Sequence, residues 1–216
     1  MEITTLEVAG FKPALKAMRN PMNSWAKSDT TCEYLSNGQH VTVGENDKSL
    51  SIRLQTAGSE HCKHLRMIEV WADVTAPLTW WKQFDTYRFG VEKVSTSTMH
   101  KLMSRPLTHK DFASVKTDVG ETWSSELGTV IGFINDKIEK YKNCTELTQK
   151  KIIWQETVDL LPESYLQTRT VMMSYAALRT IVKQREGHKL PDWHKFIEWV
   201  HTLPESWMIF DEEGNV

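Results

Sequence analysis

The run from Ile68 to Leu78 constrains this chain most. Ile68, Val70, Ala72 and Val74 alternate with Glu69, Trp71 and Asp73. Successive side chains on a strand face opposite sides, so a period of two predicts a strand. Pro77 follows at once. Its missing N–H costs nothing in the first turn of a helix, so a helix over Leu78–Tyr87 is expected next.

Upstream, Ile3, Leu6 and Val8 make residues 2–9 a short strand, followed by a helix over Lys12–Met18. Residues 20–42 are rich in Asn, Ser, Thr and Gly, which predicts a long loop with a hairpin turn at Asn37-Gly38. Asn46 or Asp47 is expected to cap a helix through Leu50, Ile52 and Leu54 to Gly58. Downstream, residues 94–99 read as a polar, flexible tract. Residues 105–120 read as loop-rich around a short helix near Asp111. Leu127, Val130, Ile131, Ile134, Ile138 and Tyr141 recur at helical spacing over Ser124–Lys142. Further helices are expected over Lys150–Leu161, over Thr168–Arg185, and over Asp192–Leu203 with Trp193, Phe196, Ile197 and Val200 on one face. There is no internal repeat. The fold class is α+β: one helix-rich domain over residues 1–216 with a small mixed or antiparallel sheet.

Charge narrows the partners. With 26 basic and 28 acidic side chains and a formal net charge of −2, the chain has no general electrostatic grip on nucleic acid or an anionic membrane, although a local basic pocket is compatible with it. No stretch nears the apolar length of a membrane span, and the first residues, Met-Glu-Ile-Thr-Thr-Leu-Glu, are unlike a signal peptide. The three cysteines, Cys32, Cys62 and Cys144, are widely spaced and form no C-x-x-C unit, so neither a disulfide framework nor a cysteine zinc site is expected. These features predict a cytoplasmic protein.

The chemistry concentrates between Leu65 and Lys101. Trp80, Trp81, Gln83, Phe84, Tyr87 and Arg88 crowd on one short helix and its exit. Aromatic rings stack on planar groups, Gln83 offers a two-way amide, and Arg88 a forked cation for phosphate or carboxylate. Ser95, Ser97, Thr98 and the neighbouring Thr96 add hydroxyl and backbone donors suited to phosphate oxygens, with His100 just beyond. Against this stands the plainer reading of core tryptophans beside a solvated loop. His61 and His64 are three apart, but no third metal ligand is evident, so phosphate or helix-cap contacts are a better reading than metal, plain surface histidines are a better one still, and no metal site is predicted. Arg169, Arg179 and Arg185 are expected on a late helix with at most a pair facing one site; Arg179 is the further candidate, and an ordinary solvated, salt-bridged face is the plainer reading. Nucleotide-loop and hydrolase motifs are absent, and no catalytic residue is assigned.

Taken in order, His61, His64-Leu65-Arg66, Ile68-Glu69-Val70, Trp81-Lys82-Gln83-Phe84 and Arg88 resemble the core of the flavin-dependent thymidylate synthases, the ThyX family. Leu160-Leu161-Pro162 is similar to the family's Leu-Pro element, and Ser174–Arg185 to its arginine-rich helix. The resemblance covers roughly Leu50–Met103 and Val158–Leu203. It implies a ThyX-like fold, a homotetramer with ligand sites at subunit interfaces, FAD as cofactor and a nucleotide as ligand, in a bacterial or phage setting. The departures are specific. The family's Arg-His-Arg is Thr86-Tyr87-Arg88 here, its Asn-Glu is Ser95-Thr96, its Ser-x-Arg is Thr98-Met99-His100, and Ser174 and Ala176 replace an Asn and an Arg. Each lost charge-assisted hydrogen bond is worth roughly 1.5–3 kcal/mol. The resemblance thus implies a nucleotide binder that has lost thymidylate synthesis and holds no flavin, able to sequester or sense a signalling nucleotide. An active flavoenzyme on another pyrimidine nucleotide, with Tyr87 and His100 replacing lost contacts, is the alternative. A partner-binding oligomer anchored by some of the nine tryptophans is the other.

Overall fold

The alternation at Ile68–Val74 is realised as strand β4, Glu69–Pro77, with Val70, Ala72, Val74 and Ala76 fully buried on one face. The computed structural model describes residues 1–35, 38–117 and 120–210. In chain order the elements are β1 (Glu2–Ala9), α1 (Phe11–Ala17), β2 (Thr31–Leu35), β3 (Gly38–Thr42), α2 (Glu45–Ala57), β4, α3 (Leu78–Phe84), β5 (Val91–Ser95), α4 (Thr98–Lys101), β6 (Val115–Thr117), β7 (Gly120–Thr122), α5 (Ser125–Asn143), α6 (Leu147–Asp159), β8 (Leu166–Ser174), α7 (Tyr175–Arg185) and α8 (Pro191–His201). The α+β class and the helix-rich composition expected above are what the chain adopts.

The main sheet has the order β1-β4-β8-β5, and β2-β3 and β6-β7 are separate hairpins. Thr75 pairs its hydroxyl with that of Thr168 at 2.7 Å, and Thr170 donates to Asp73 at 2.6 Å, so β4 and β8 run antiparallel. The chain falls into two compact units. One comprises Met1–Glu2, Thr75–Asp85 and Ser95–Arg169; the other comprises Ile3–Val74, Thr86–Val94 and Thr170–Val216.

In the first unit the core is built by α5. Leu127, Ile131, Ile134 and Ile138 are buried on one stripe with Leu102, Met103, Leu107 and Phe112, and Tyr141, Trp154 and Tyr165 pack against them. Each fully buried side chain of this kind contributes about 1.5–3 kcal/mol by leaving water. Trp80, Trp81 and Phe84 of α3 form a second apolar knot, with ring centroids 4.7–5.5 Å apart. In the second unit Trp193, Phe196 and Trp199 of α8 make successive ring contacts at 5.7 and 5.4 Å. Trp199 also donates to Thr5 of β1 at 2.9 Å.

Several expectations are corrected. Thr168–Ser174 is not the start of a helix but all of β8 after its first two residues; only Tyr175–Arg185 is helical, with the Ser174 hydroxyl accepting from the Ala177 N–H as its cap. The β-branched pairing Thr168 and Thr170 make with β4 outweighs the helical spacing of the segment. Neither Asn46 nor Asp47 caps α2. Both sit inside it, and the carboxylate of Asp29 accepts from their N–H groups at 2.9 and 3.1 Å. The tract 94–99 is not a flexible run: Val94 and Ser95 end β5, and Thr98 opens α4. The helix α3 ends at Phe84 rather than Tyr87, and α6 begins at Leu147 rather than Lys150, where Glu146 accepts from the Thr148 N–H. In residues 20–42 the chain makes short turns at Asn20–Met22 and Trp25–Lys27 and then the β2-β3 hairpin. The expected turn at Asn37-Gly38 falls partly outside the described residues. In residues 105–120 a short helical turn at His109–Asp111 precedes β6, and residues 118–119 lie outside the described residues. Among the described residues no helix is long and apolar enough to cross a membrane.

Candidate functional site

The helix α3 is held at its start by the chain that leads into β8. Its first N–H groups have no partner within the helix. Leu78 N–H donates to the Tyr165 carbonyl, and Thr79 N–H to that of Glu163, both at 3.1 Å. This places Asp85, the residue that follows α3, beside Arg169 of β8. Arg169 donates to both Asp85 carboxylate oxygens at 2.9 and 3.1 Å, donates to Gln167 at 3.0 Å, and lies 4.2 Å from the ring centroid of Trp81. Gln167 in turn donates to the Thr96 carbonyl at 3.0 Å and to the Thr98 hydroxyl at 3.3 Å. Asp85 and Gln167 were not among the residues singled out from the sequence, and Arg169 was expected on a late helix beside Arg179 and Arg185. Reading Thr168–Arg185 as one helix hid its place on a strand, and the alternation of Gln167, Arg169 and Val171 along β8 is the signal that finds it.

Of the expected site residues, Gln83, Ser95, Ser97, Thr98 and His100 lie in this same unit. Gln83 is half-buried on α3, and Ser95 is exposed at the end of β5. The Ser97 hydroxyl accepts from the His100 N–H at 3.2 Å and caps α4. The Thr98 hydroxyl is taken up by Gln167, and the His100 ring is exposed.

Tyr87, Arg88, Arg179, His61 and His64 lie in the other unit. Arg185 donates to the Tyr87 hydroxyl at 2.8 Å and sits 4.6 Å from the ring centroid of Trp193. These contacts hold the start of the Thr86–Gly90 turn against α7 and α8. Gly90 closes the turn at φ +67°, a backbone state that favours glycine, and a Cβ there would meet the Ser174 hydroxyl at 2.5 Å. Between these fixed points Arg88 and Phe89 project. Phe89 is 96% exposed. Arg88 is exposed too, and among the described residues no side chain pairs with it.

His64 and Arg179 meet through a polar chain. Arg179 donates to Gln55 at 2.6 Å, Gln55 donates to the Ser51 hydroxyl at 3.1 Å, and that hydroxyl lies 2.8 Å from His64 Nε2. Because Ser51 accepts from Gln55, its own proton can be donated to His64, whose ring is buried rather than a surface histidine as expected. Burial pushes the His64 imidazole down to about 4, so the ring is neutral. His61 is half exposed, 3.6 Å from Glu60. Among the described residues no group of three or more His, Cys, Asp or Glu could hold a metal ion, and Cys32, Cys62 and Cys144 are free thiols.

No protein-family model matches the sequence, and no curated protein does either. Solved structures do. A flavin-dependent thymidylate synthase X from Helicobacter pylori, crystallised with FAD and dUMP, superposes with a TM-score of 0.70 at 15% identity, over 99% of this chain and 98% of that one. A second structure of the Helicobacter pylori enzyme with FAD and dUMP gives 0.69 at 16% identity, over the whole of both chains. The chain has the ThyX fold. A UMP/dUMP methylase, PolB from Streptomyces cacaoi, bound with 5-Br UMP, shares the ThyX fold more distantly: TM-score 0.56, 12% identity, over 100% of this chain and 95% of that one. At these identities the likeness establishes architecture, and the residue roles are argued below from this chain.

Proposed function

We propose that this protein binds a pyrimidine nucleoside monophosphate, or a nucleotide close to one, and does not carry out flavin-dependent thymidylate synthesis. The observation behind this is Arg88: an exposed guanidinium on a turn fixed at both ends, in a chain that matches over its whole length structures holding dUMP or 5-Br UMP. A planar, permanently charged fork with no competing carboxylate is suited to a phosphate group.

The donor set that the resemblance implies for FAD is depleted in this chain. Its pyrophosphate and the substrate phosphate call for several free cations. Arg185 is committed to Tyr87 and Trp193, Arg179 to Gln55 and Arg169 to Asp85. Thr86 and Tyr87 stand where the resemblance implies an Arg and a His. Arg88 alone is left of that triplet, so the cationic contacts the resemblance implies there for a flavin pyrophosphate and a substrate phosphate are reduced to one guanidinium. Phe89, an apolar ring almost wholly exposed beside Arg88, is the kind of anchor that subunit interfaces bury, and supports assembly as a homo-oligomer, with a tetramer the arrangement implied by the ThyX resemblance.

Calorimetric titration of the purified chain with dUMP, UMP and FAD tests the reading. Saturable binding of a nucleoside monophosphate to a colourless protein that ignores added FAD is the expected result. A yellow protein with tightly held flavin would instead establish the flavoenzyme reading. Absence of nucleotide binding leaves the partner-binding oligomer.

A further inference from the structure

The unit containing Ser95–Arg169 holds an open cavity of about 300 Å³, distinct from the Arg88 turn. Its walls are apolar and aromatic: Met99 from α4, Tyr141 from α5, and Leu147 and Trp154 from α6. Its polar groups are the side chains of His100, Lys150 and Lys151, with no carboxylate among the lining residues. We propose that this cavity binds a small organic anion with a flat apolar body, of the size of an aromatic carboxylate or sulfonate. The inference does not rest on the nucleotide reading above.

Two observations carry it. The lysines are uncompensated. Elsewhere in this unit Lys82 pairs with Glu163, Arg105 with Asp111 and Lys137 with Glu156, whereas among the described residues Lys150 meets only the Tyr141 ring, 4.7 Å from its centroid, and Lys151 meets no carboxylate. Second, the apolar rim is bare: Leu147 is 75% and Met99 62% exposed. Rings and cations in one lining match a ligand that is planar at one end and charged at the other, and the volume lies at the small end of ligand cavities.

Trp154 supplies the readout, since its indole N–H donates to the Met99 carbonyl at 3.2 Å and forms part of the wall. Its NMR signal is assigned as the one missing in Trp154→Phe. Titration with 2-naphthoate is expected to shift that signal saturably. The neutral analogue 2-naphthalenemethanol and the double variant Lys150→Gln/Lys151→Gln, checked for an unchanged melting temperature, are each expected to lower the affinity about tenfold or more. A signal that does not move at millimolar naphthoate, leaving the bare rim to a macromolecular partner, overturns the proposal. Equal affinity for the neutral analogue overturns it as well, because the lysines would then have no part in recognition.

Discussion

Arg169 grips both carboxylate oxygens of Asp85 while its guanidinium covers the ring of Trp81, so one side chain ties the end of α3 to the middle of β8. Arg169 is 14% exposed and Asp85 41%, which makes the pair part-screened rather than buried. Arg169→Ala removes the ion pair, the ring contact and the bond to Gln167 together. Urea denaturation is expected to show a loss of about 1–3 kcal/mol. Arg169→Lys restores the charge but not the fork, and is expected to recover less than half of that. A lysine variant as stable as the parent would show that the forked geometry contributes nothing.

Asp47 is fully buried and accepts hydrogen bonds from Arg19 at 2.5 Å, from the Ser28 and Thr30 hydroxyls at 2.7 Å, and from the Thr30 N–H at 3.2 Å. Burial raises its pKa, but the hydrogen bonds from Thr30, Ser28 and Arg19 outweigh it and hold the carboxyl below the usual carboxylate range. A carboxylate with a depressed folded pKa stabilises above its unfolded value, about 4, and that stability is lost as pH falls through the folded value. Asp47→Asn should therefore be less stable at pH 7 and flatten the acid limb below about pH 4. Asp47→Ala leaves Arg19 buried without its partner and is expected to cost about 3–5 kcal/mol.

What was legible in the sequence follows from how local each signal is. The alternation of Ile68–Val74 and the stripe from Leu127 to Tyr141 each carry their own period, and both formed as read. The β8 strand did not announce itself, because Thr168–Ser174 runs without a break into a good helix, and distant partners decide its conformation, among them Asp73 and Thr75, nearly a hundred residues away. The cap of α2 was misplaced for a related reason: its acceptor, Asp29, lies outside the window in which caps are sought. The candidate site divides likewise. Arg88 and Gln83 stand out locally, whereas Arg169 acquires meaning only beside Asp85 and Trp81, which the topology brings to it.

His64 gives the acid response a second, higher window. Burial holds its folded pKa at about 4, below the roughly 6.5 of the unfolded chain, so the unfolded state binds a proton that the folded one refuses. The stability it contributes is complete above about pH 6.5 and declines as pH falls to about 4, by roughly 3 kcal/mol at most. His64→Gln can still accept from Ser51 but does not titrate. Its stability between pH 7 and 4.5 should be flatter than the parent's, and an unchanged slope would assign the decline to another group.

Gly90 is where the Arg88 turn is fixed from behind. Its carbonyl accepts from the Ser174 N–H at 2.9 Å, and its φ of +67° leaves no room for a Cβ beside the Ser174 hydroxyl. Gly90→Ala is expected to cost about 1–3 kcal/mol from strain and displacement. Because Ser174 also caps α7, amide exchange at Ala177 should rise in the variant. Protection there equal to the parent's would show that the turn and the cap are independent.

Arg88 is the position on which the nucleotide reading turns. The side chain is exposed and, among the described residues, makes no side-chain pair, so Arg88→Ala removes nothing the fold uses, and its melting temperature should match the parent's. A charge-assisted bond to phosphate is worth about 1.5–3 kcal/mol, which predicts a roughly ten- to hundredfold loss of affinity for dUMP or UMP by calorimetry. Arg88→Lys keeps the charge without the fork and should fall between. The uncharged nucleoside separates phosphate recognition from ring recognition: the parent should bind uridine more weakly than UMP, and Arg88→Ala should bind both alike. If the variant still distinguished UMP from uridine by the parent's margin, the phosphate would be held elsewhere and Arg88 would leave the site.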